Sequence, residues 1–385
     1  MKKLFSLNHS KFLFFRNEGL LFIAFIVTVF TGCVKDYSPP CKDNDFIKGK
    51  NKTIVVHEGG SIQAAVDAAS PGTIILIEPG TYNGEIEIDK AGIQLIGKTC
   101  FAFEKVIIKN PGDEDCGIMV HKGGDGFVLK NVTVQGFKEN GVYLEYIDNF
   151  LLSHVVAINN NEYGLYPVFC TNGLIEYCSA TGSSDTGIYV GQSESVAMQY
   201  NEAYGNVNGI EIENCTKVAA IKNHSYDNVC GILIVLLPGL TVKASANVLV
   251  SENNIEKNNH VNFANPAGGF EAFVPSGSGI LLVGVDNVTI EKNKISNNNF
   301  VGVATVSTVI LGALAGLPPE AFGDIEPNAD WAKIIDNVLV NNGSAPPAGL
   351  PLPGVDLLWD GNGLNNCWKN NTYTTAYPSP LPACN

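Results

Sequence analysis

Glu211 and Glu213 stand two residues apart in the run Gly209-Ile-Glu-Ile-Glu. If that run is a β-strand, both carboxyls leave the same face, with Cα atoms about 6.5–7 Å apart. Carboxyls separated by roughly 6.5–9.5 Å suit inverting glycoside hydrolysis, in which one group is the acid and the other the base. Their proximity raises the proton affinity of one, leaving an acid beside a base. The same spacing equally describes two solvated carboxylates on a polar face. Tyr143, Tyr166 and Tyr189 recur at matching places in neighbouring segments, with Glu145 and His121 in the adjoining row. Such rings offer a sugar an apolar face and a polar tip. Stacked tyrosines also stabilise neighbouring strands with no ligand present. His224 and Asp227 have the chemistry of an acid–base pair, but they fall in a turn-like segment where they need no role.

These residues are placed by a repeat. Segments begin Gly117-Ile-Met-Val, Gly141-Val-Tyr-Leu, Gly164-Leu-Tyr-Pro, Gly187-Ile-Tyr-Val, Gly209-Ile-Glu-Ile, Gly231-Ile-Leu-Ile, Gly279-Ile-Leu-Leu and Gly302-Val-Ala-Thr, at steps of 24, 23, 23, 22, 22, 48 and 23 residues. A constant period in this range marks stacked repeats, none of which buries its apolar face alone. Each unit holds short alternating runs, such as Val288-Thr-Ile-Glu-Lys-Asn, split by Asn, Gly, Ser and Asp. That pattern reads as strand, and no unit contains ten or more residues of helical periodicity. Three short strands and three turns per unit predict an all-β, single-stranded right-handed parallel β-helix, with coils about 4.8 Å apart.

Alternation assigns faces. The residue after each glycine is aliphatic and points inward, so the second and fourth point outward. The second row reads Met119, Tyr143, Tyr166, Tyr189, Glu211, Leu233, Leu281, Ala304; the fourth reads His121, Glu145, Val168, Gly191, Glu213, Val235, Val283, Val306. The later half is apolar and needs a cover. The extra residues around Val261 to Ser278, and the apolar run Val309 to Phe322, are the predicted covers, walling a groove on the earlier coils. The tyrosines are expected at least partly exposed. Asn201, Asn223, Asn253 and Asn293 share one position before a turn, with Cys178 in the preceding unit. Stacked amides there would hydrogen-bond from coil to coil; ordinary surface turn asparagines are the alternative.

Ser61 to Ala69 forms a short amphipathic helix with Ser61 as N-cap, closing the open end of the stack. The run Ser61-Ile-Gln-Ala-Ala-Val-Asp-Ala-Ala, followed by Pro71-Gly-Thr-Ile-Ile-Leu-Ile-Glu-Pro-Gly-Thr-Tyr82, resembles the opening of pectin-lyase-like β-helix proteins. The Gly-Ile-Tyr and Asn repeats resemble that superfamily's parallel β-helix repeats, over about residues 53–345. Within it, Asn262-Phe-Ala-Asn-Pro-Ala-Gly and the ending Asn366-Cys-Trp…Leu381-Pro-Ala-Cys384 resemble a subgroup of exported bacterial proteins. The superfamily implies polysaccharide lyases, hydrolases, epimerases and non-catalytic binders. Its uronate-cleaving members use arginine near the reacting carbon. Here Arg16 is the sole arginine, and the Gly-His-Gly, paired Asp-Asp and Asp-Pro-His-Asp motifs of other branches are absent. A hydrolase is therefore expected ahead of a lyase, with a non-catalytic surface scaffold as the competing class.

Lys2, Lys3, Lys11 and Arg16 precede an apolar run from Leu20 to Phe30, then Thr31-Gly32-Cys33. The run is too short to span a bilayer but suits a signal peptide. Gly32-Cys33 resembles a lipobox, with Cys33 the lipidated first residue; an ordinary signal or an anchor helix are the alternatives. The expected layout is signal 1–32, tether 33–52, β-helix 53–345 and C-terminal tail or cap 346–385. The expected location is the bacterial cell envelope, with contact to membrane through the lipid alone. The whole chain carries 24 basic and 38 acidic residues; without 1–32 it would carry 20 against 37, a balance of −17. That argues against nucleic acid and an anionic lipid surface as partners and favours a neutral or weakly charged polysaccharide. Ten cysteines in an exported chain suggest disulfides. Cys367 and Cys384 bracket a Pro-rich tail and are the preferred pair; Cys100–Cys116 is a further possibility. No Cys/His spacing suggests zinc, and the sequence names no cofactor.

Overall fold

The computed structural model describes residues 51–100 and 103–384. Three parallel sheets of 12, 11 and 10 strands run the length of the coil, and each strand pairs with the equivalent strand one turn away. The register follows the repeat: Val142 pairs with Leu165, Leu165 with Ile188, Ile188 with Ile210, and Ile210 with Ile232. This is the expected parallel β-helix. The inward aliphatics, among them Ile118, Val142, Ile188 and Ile232, form one continuous core. The glycine beat has a steric cause. A Cβ on Gly141 would lie 2.5 Å from both Asn160 Nδ2 and the Gly164 carbonyl oxygen, so the chain bends there only without a side chain.

The asparagine row is a buried ladder. From Asn201 through Asn223, Asn253, Asn293 and Asn337 to Asn371, each Nδ2 donates to the next Oδ1 at 2.9–3.0 Å. The Cys178 N–H donates to Asn201 Oδ1 and starts it. A second ladder, not foreseen, runs Asn206, Asn228, Asn258, Asn298 and Asn342. It ends on Asp356, which accepts from Asn342 Nδ2 at 2.9 Å.

Helix Ile62–Ala68 buries Ile62, Ala65 and Val66 at the first coils, and Ser61 Oγ accepts from the Ala64 N–H. At the other end the β-structure runs beyond residue 345. Strands Val355–Trp359, Cys367–Lys369 and Ala376–Tyr377 join the sheets. The repeat is hidden in this coil because Val355 pairs with Val301 and Leu357 with Val303, which puts Asp356 where glycine stood. Asp356 holds that bend by accepting from the Thr374 and Thr375 N–H groups. Cys367 and Cys384 are disulfide-bonded, with Cα atoms 4.7 Å apart. Cys100 is bonded too, but Cys116 is a buried free thiol, so Cys100–Cys116 is not a pair. Cys33, the residue expected to carry the lipid, lies outside the described residues.

Candidate active site

The insertions cover the apolar half of the face, as expected. Leu233, Val235, Leu281 and Val283 are buried in one cluster with Ala264, Val274 and Leu311. The segment after strand Cys230–Val235 is fastened down: Asn214 accepts from the Leu237 N–H, and Gln192 Oε1 accepts from the Thr241 and Val242 N–H groups. A second stretch carries the short 3-10 helix Phe270–Phe273, and a third the helix Thr308–Leu314. Where these covers meet the polar half lies a cleft of about 260 Å³. Tyr163, Tyr166, Asp185, Tyr189, Gln192, Glu211 and Glu213 line it, facing Leu237, Leu240, Phe270, Glu271 and Leu311.

Glu211 and Glu213 thus share one cleft, in a setting unlike a solvated face. Glu211 is only 5% exposed. Its Oε2 lies 2.5 Å from Thr186 Oγ1 and accepts from Asn208 Nδ2 at 3.1 Å. Glu213 keeps partial exposure and accepts from the Tyr189 hydroxyl at 2.7 Å. Tyr189 does not keep the expected exposure: it is 3% exposed. It bends along its own strand toward Glu213, against the rings of Tyr163 and Tyr166. Gly191 makes that possible, because a Cβ there would sit 1.9 Å from Tyr189 Oη. Tyr166 remains half-buried, stacked on Tyr163 at 4.2 Å and on Tyr143 at 5.4 Å. Tyr143, Glu145 and His121 lie on the same face outside the cleft, each partly exposed. His224 and Asp227 do not contribute. His224 pairs with Glu256 at 3.1 Å and Asp227 with His260 at 3.4 Å, on the ten-stranded sheet side.

Alternation alone missed Tyr163, Asp185, Thr186 and Asn208. The glycine bend turns its missing side chain toward the core, so the residue before it faces outward, adding a third row. The polar residues before the glycines, Asn140, Tyr163, Thr186 and Asn208, were the available signal. Glu271 arrives on an insertion and left none.

Among the described residues, four carboxyls and no basic side chain line the cleft. Burial, then the charges of Asp185 and Glu213, hold the Glu211 carboxyl well above the usual range, against the bonds from Thr186 and Asn208. Burial pushes Glu213 up to about 7, with Tyr189 opposing and Glu271 assisting. Burial likewise pushes Asp185 up to about 7, with Tyr163 opposing and Glu271 assisting. The Tyr163, Tyr166 and Tyr189 phenols are raised, chiefly by burial and then by nearby acids, and stay protonated donors at neutral pH. Away from the cleft, Asp286, Glu326 and Asp330 bring carboxyl oxygens within 4.8 Å of one another, close enough to share a cation.

These shifts set a pH dependence of stability. An acid whose folded pKa is raised keeps its proton while the unfolded chain has already lost it, so stability falls as pH rises between the two values. From Asp185 and Glu213 that window runs from the ordinary carboxyl range up to about 7. Melting should therefore occur at higher temperature at pH 5 than at pH 7.5, and Asp185→Asn should shrink the difference. Calorimetry at the two values checks it; identical pH profiles for wild type and variant would refute it.

A sequence profile described as a right-handed β-helix region matches residues 91–242. No curated protein matches the chain in sequence. Among solved structures, the A-module of the Azotobacter vinelandii mannuronan C-5 epimerase AlgE6 aligns with TM-score 0.58 at 15% identity, over 82% of this chain and 91% of that one. The corresponding module of AlgE4 from the same organism aligns with TM-score 0.55 at 18% identity, over 82% and 93%. DFA-IIIase from Arthrobacter chlorophenolicus A6, solved in complex with GF2, aligns with TM-score 0.52 at 13% identity, over 86% and 100%. The coil is thus a right-handed parallel β-helix. At these identities the likeness is one of fold.

Proposed function

We propose that this protein is polysaccharide-active and works through the cleft beside Glu211 and Glu213, as a glycoside hydrolase ahead of a lyase. One observation carries the reading: two carboxyls of one strand share a desolvated cleft with tyrosine walls, each with raised proton affinity. Glu211, the more buried, supplies a proton to the glycosidic oxygen. Glu213, ionised above about 7, takes a proton from the water that attacks the anomeric carbon. The bond to the leaving oxygen breaks as the bond to water forms. Four acids and no base in the cleft favour a neutral or weakly charged glycan over a uronate. The fold neighbours support a saccharide ligand in general: one is a mannuronan epimerase and another was solved with GF2.

A glycan-array screen of the soluble protein, followed by end-group assay on the glycans bound, tests this reading. Tyr166→Ala should weaken glycan binding several-fold with little change in melting temperature. Absence of binding, with Tyr166→Ala losing stability alone, would favour the second reading, a non-catalytic scaffold. The burial of Glu211 is what supports that second reading.

The protein acts from the cell envelope, exported and anchored through lipid on Cys33. The apolar run ending in Gly32-Cys33 supports this. Cys33→Ser should move the protein from the membrane to the soluble fraction; a variant that still sediments with membranes through the same N-terminus removes the lipid anchor.

A further inference from the structure

Thr186 has one hydroxyl hydrogen and stands between two carboxyls. Its Oγ1 lies 2.9 Å from Asp185 Oδ1 and 2.5 Å from Glu211 Oε2. A hydroxyl donates one bond and accepts any others, whereas an ionised carboxylate accepts only. Both contacts are hydrogen bonds only when one of the two carboxyls carries a proton and donates it to Oγ1. With both ionised, one contact would set a buried oxygen against another with no hydrogen between them.

We propose that Asp185 and Glu211 share a single proton through Thr186, that the proton rests on Glu211, and that Asp185 is the positioning residue that keeps it there. The inference rests on the cleft being the acid–base site proposed above. The surroundings decide which member holds the proton. Asp185 accepts from the Tyr163 hydroxyl as well as from Thr186, and it retains some exposure. Those two donors suit an anion. Glu211 is buried, and its neighbours are unsuited to a charge. From its own strand come the Asn208 amide and Glu213; from the strand before, Asp185, Thr186 and Tyr189; from the strand after, Leu233 and the Cys230 thiol. Tyr163 adds a phenol and Glu271 a further carboxyl, and among the described residues no cationic side chain lines the cleft. Burial and the facing acids both hold the Glu211 proton in place. This role needs no contact between Asp185 and substrate. Asp185 acts through Thr186, holding Glu211 neutral and turned for donation.

Carboxyl titration by NMR tests this on the full-length protein with side-chain carboxyl carbons labelled. The Glu211 signal is identified by its loss in Glu211→Gln, or in Glu211→Asp should the first variant not fold. In wild type it should remain that of a protonated acid at pH 7. In Asp185→Asn its midpoint should fall by more than about one pH unit, the coupling above which two sites titrate as a pair. Asp185 ionises while Glu211 is still neutral, so its own midpoint should move little when Glu211 is Gln, and the coupling is read on Glu211. Thr186→Val should reduce this coupling, and Thr186→Ser should restore it. A Glu211 signal that ionises below pH 5 in wild type overturns the proposal. So does an unchanged Glu211 midpoint in Asp185→Asn, or coupling that is full in Thr186→Val. Glycan binding and turnover are not read in this experiment, so failure of the functional reading shows separately on the array.

Discussion

Glu213→Gln should lower turnover of a bound glycan by about 10²–10⁴-fold, the usual contribution of a positioned base, while binding stays within a few-fold of wild type. The substitution keeps shape, and the amide oxygen can still accept from the Tyr189 hydroxyl that now donates to Glu213 at 2.7 Å. What it removes is a group that can take a proton. In wild type, kcat/KM should rise with pH through about 7, where Glu213 ionises, and decline at higher pH as Glu211 loses its proton. The rising limb should be missing from whatever activity the variant retains. Rates and equilibrium binding measured side by side over the pH range check this. Turnover equal to wild type would take Glu213 out of the mechanism. Binding lost in parallel with turnover would instead assign Glu213 to holding the cleft's shape.

The coil was legible because its repeat is enforced by sterics at each bend. A side chain at Gly141 meets the next coil, so glycine returns coil after coil from Gly117 to Gly302 and marks the register. The position of the covers was legible too, since Leu233 and Leu281 cannot stand in water in a row. The cleft was half legible. Period-2 alternation is a property of straight strand, and it fails across the glycine bend, so Tyr163, Asp185 and Thr186 were lost while Glu211 and Glu213 were found. Tyr189 was given the right face but the wrong exposure, because alternation cannot tell that its ring folds over Gly191 to reach Glu213. Where Asp356 replaces glycine by satisfying the bend with hydrogen bonds, the last coil was read as a tail.

Burial of the acids and the asparagine ladder meet in a single coil. Strand Asn208–Glu213 carries the two glutamates, and strand Ala219–Ile221 of the same coil leads into Asn223. Asn223→Leu should destabilise the protein by at least roughly 3 kcal/mol, at about 1–3 kcal/mol for each of three buried groups left unsatisfied. Asn223 Oδ1 accepts from the Asn201 N–H at 2.9 Å and from Asn201 Nδ2 at 3.0 Å, while its own Nδ2 donates to the Met198 carbonyl at 3.0 Å. Leucine fills the space and satisfies none of them. Its backbone N–H still donates to Asn253 Oδ1, so the coil after it loses less than the coil before it. Asn371→Leu provides the comparison. Asn371 ends the ladder and is partly exposed, so water replaces what the side chain gave and the loss should be much smaller. Urea unfolding of the three proteins measures the difference. Hydrogen exchange should also show that Asn223→Leu loosens the coils on either side more than distant ones, because stability in a stacked repeat is held between neighbours. An Asn223→Leu protein as stable as Asn371→Leu would mean that the ladder orders the turn without stabilising it.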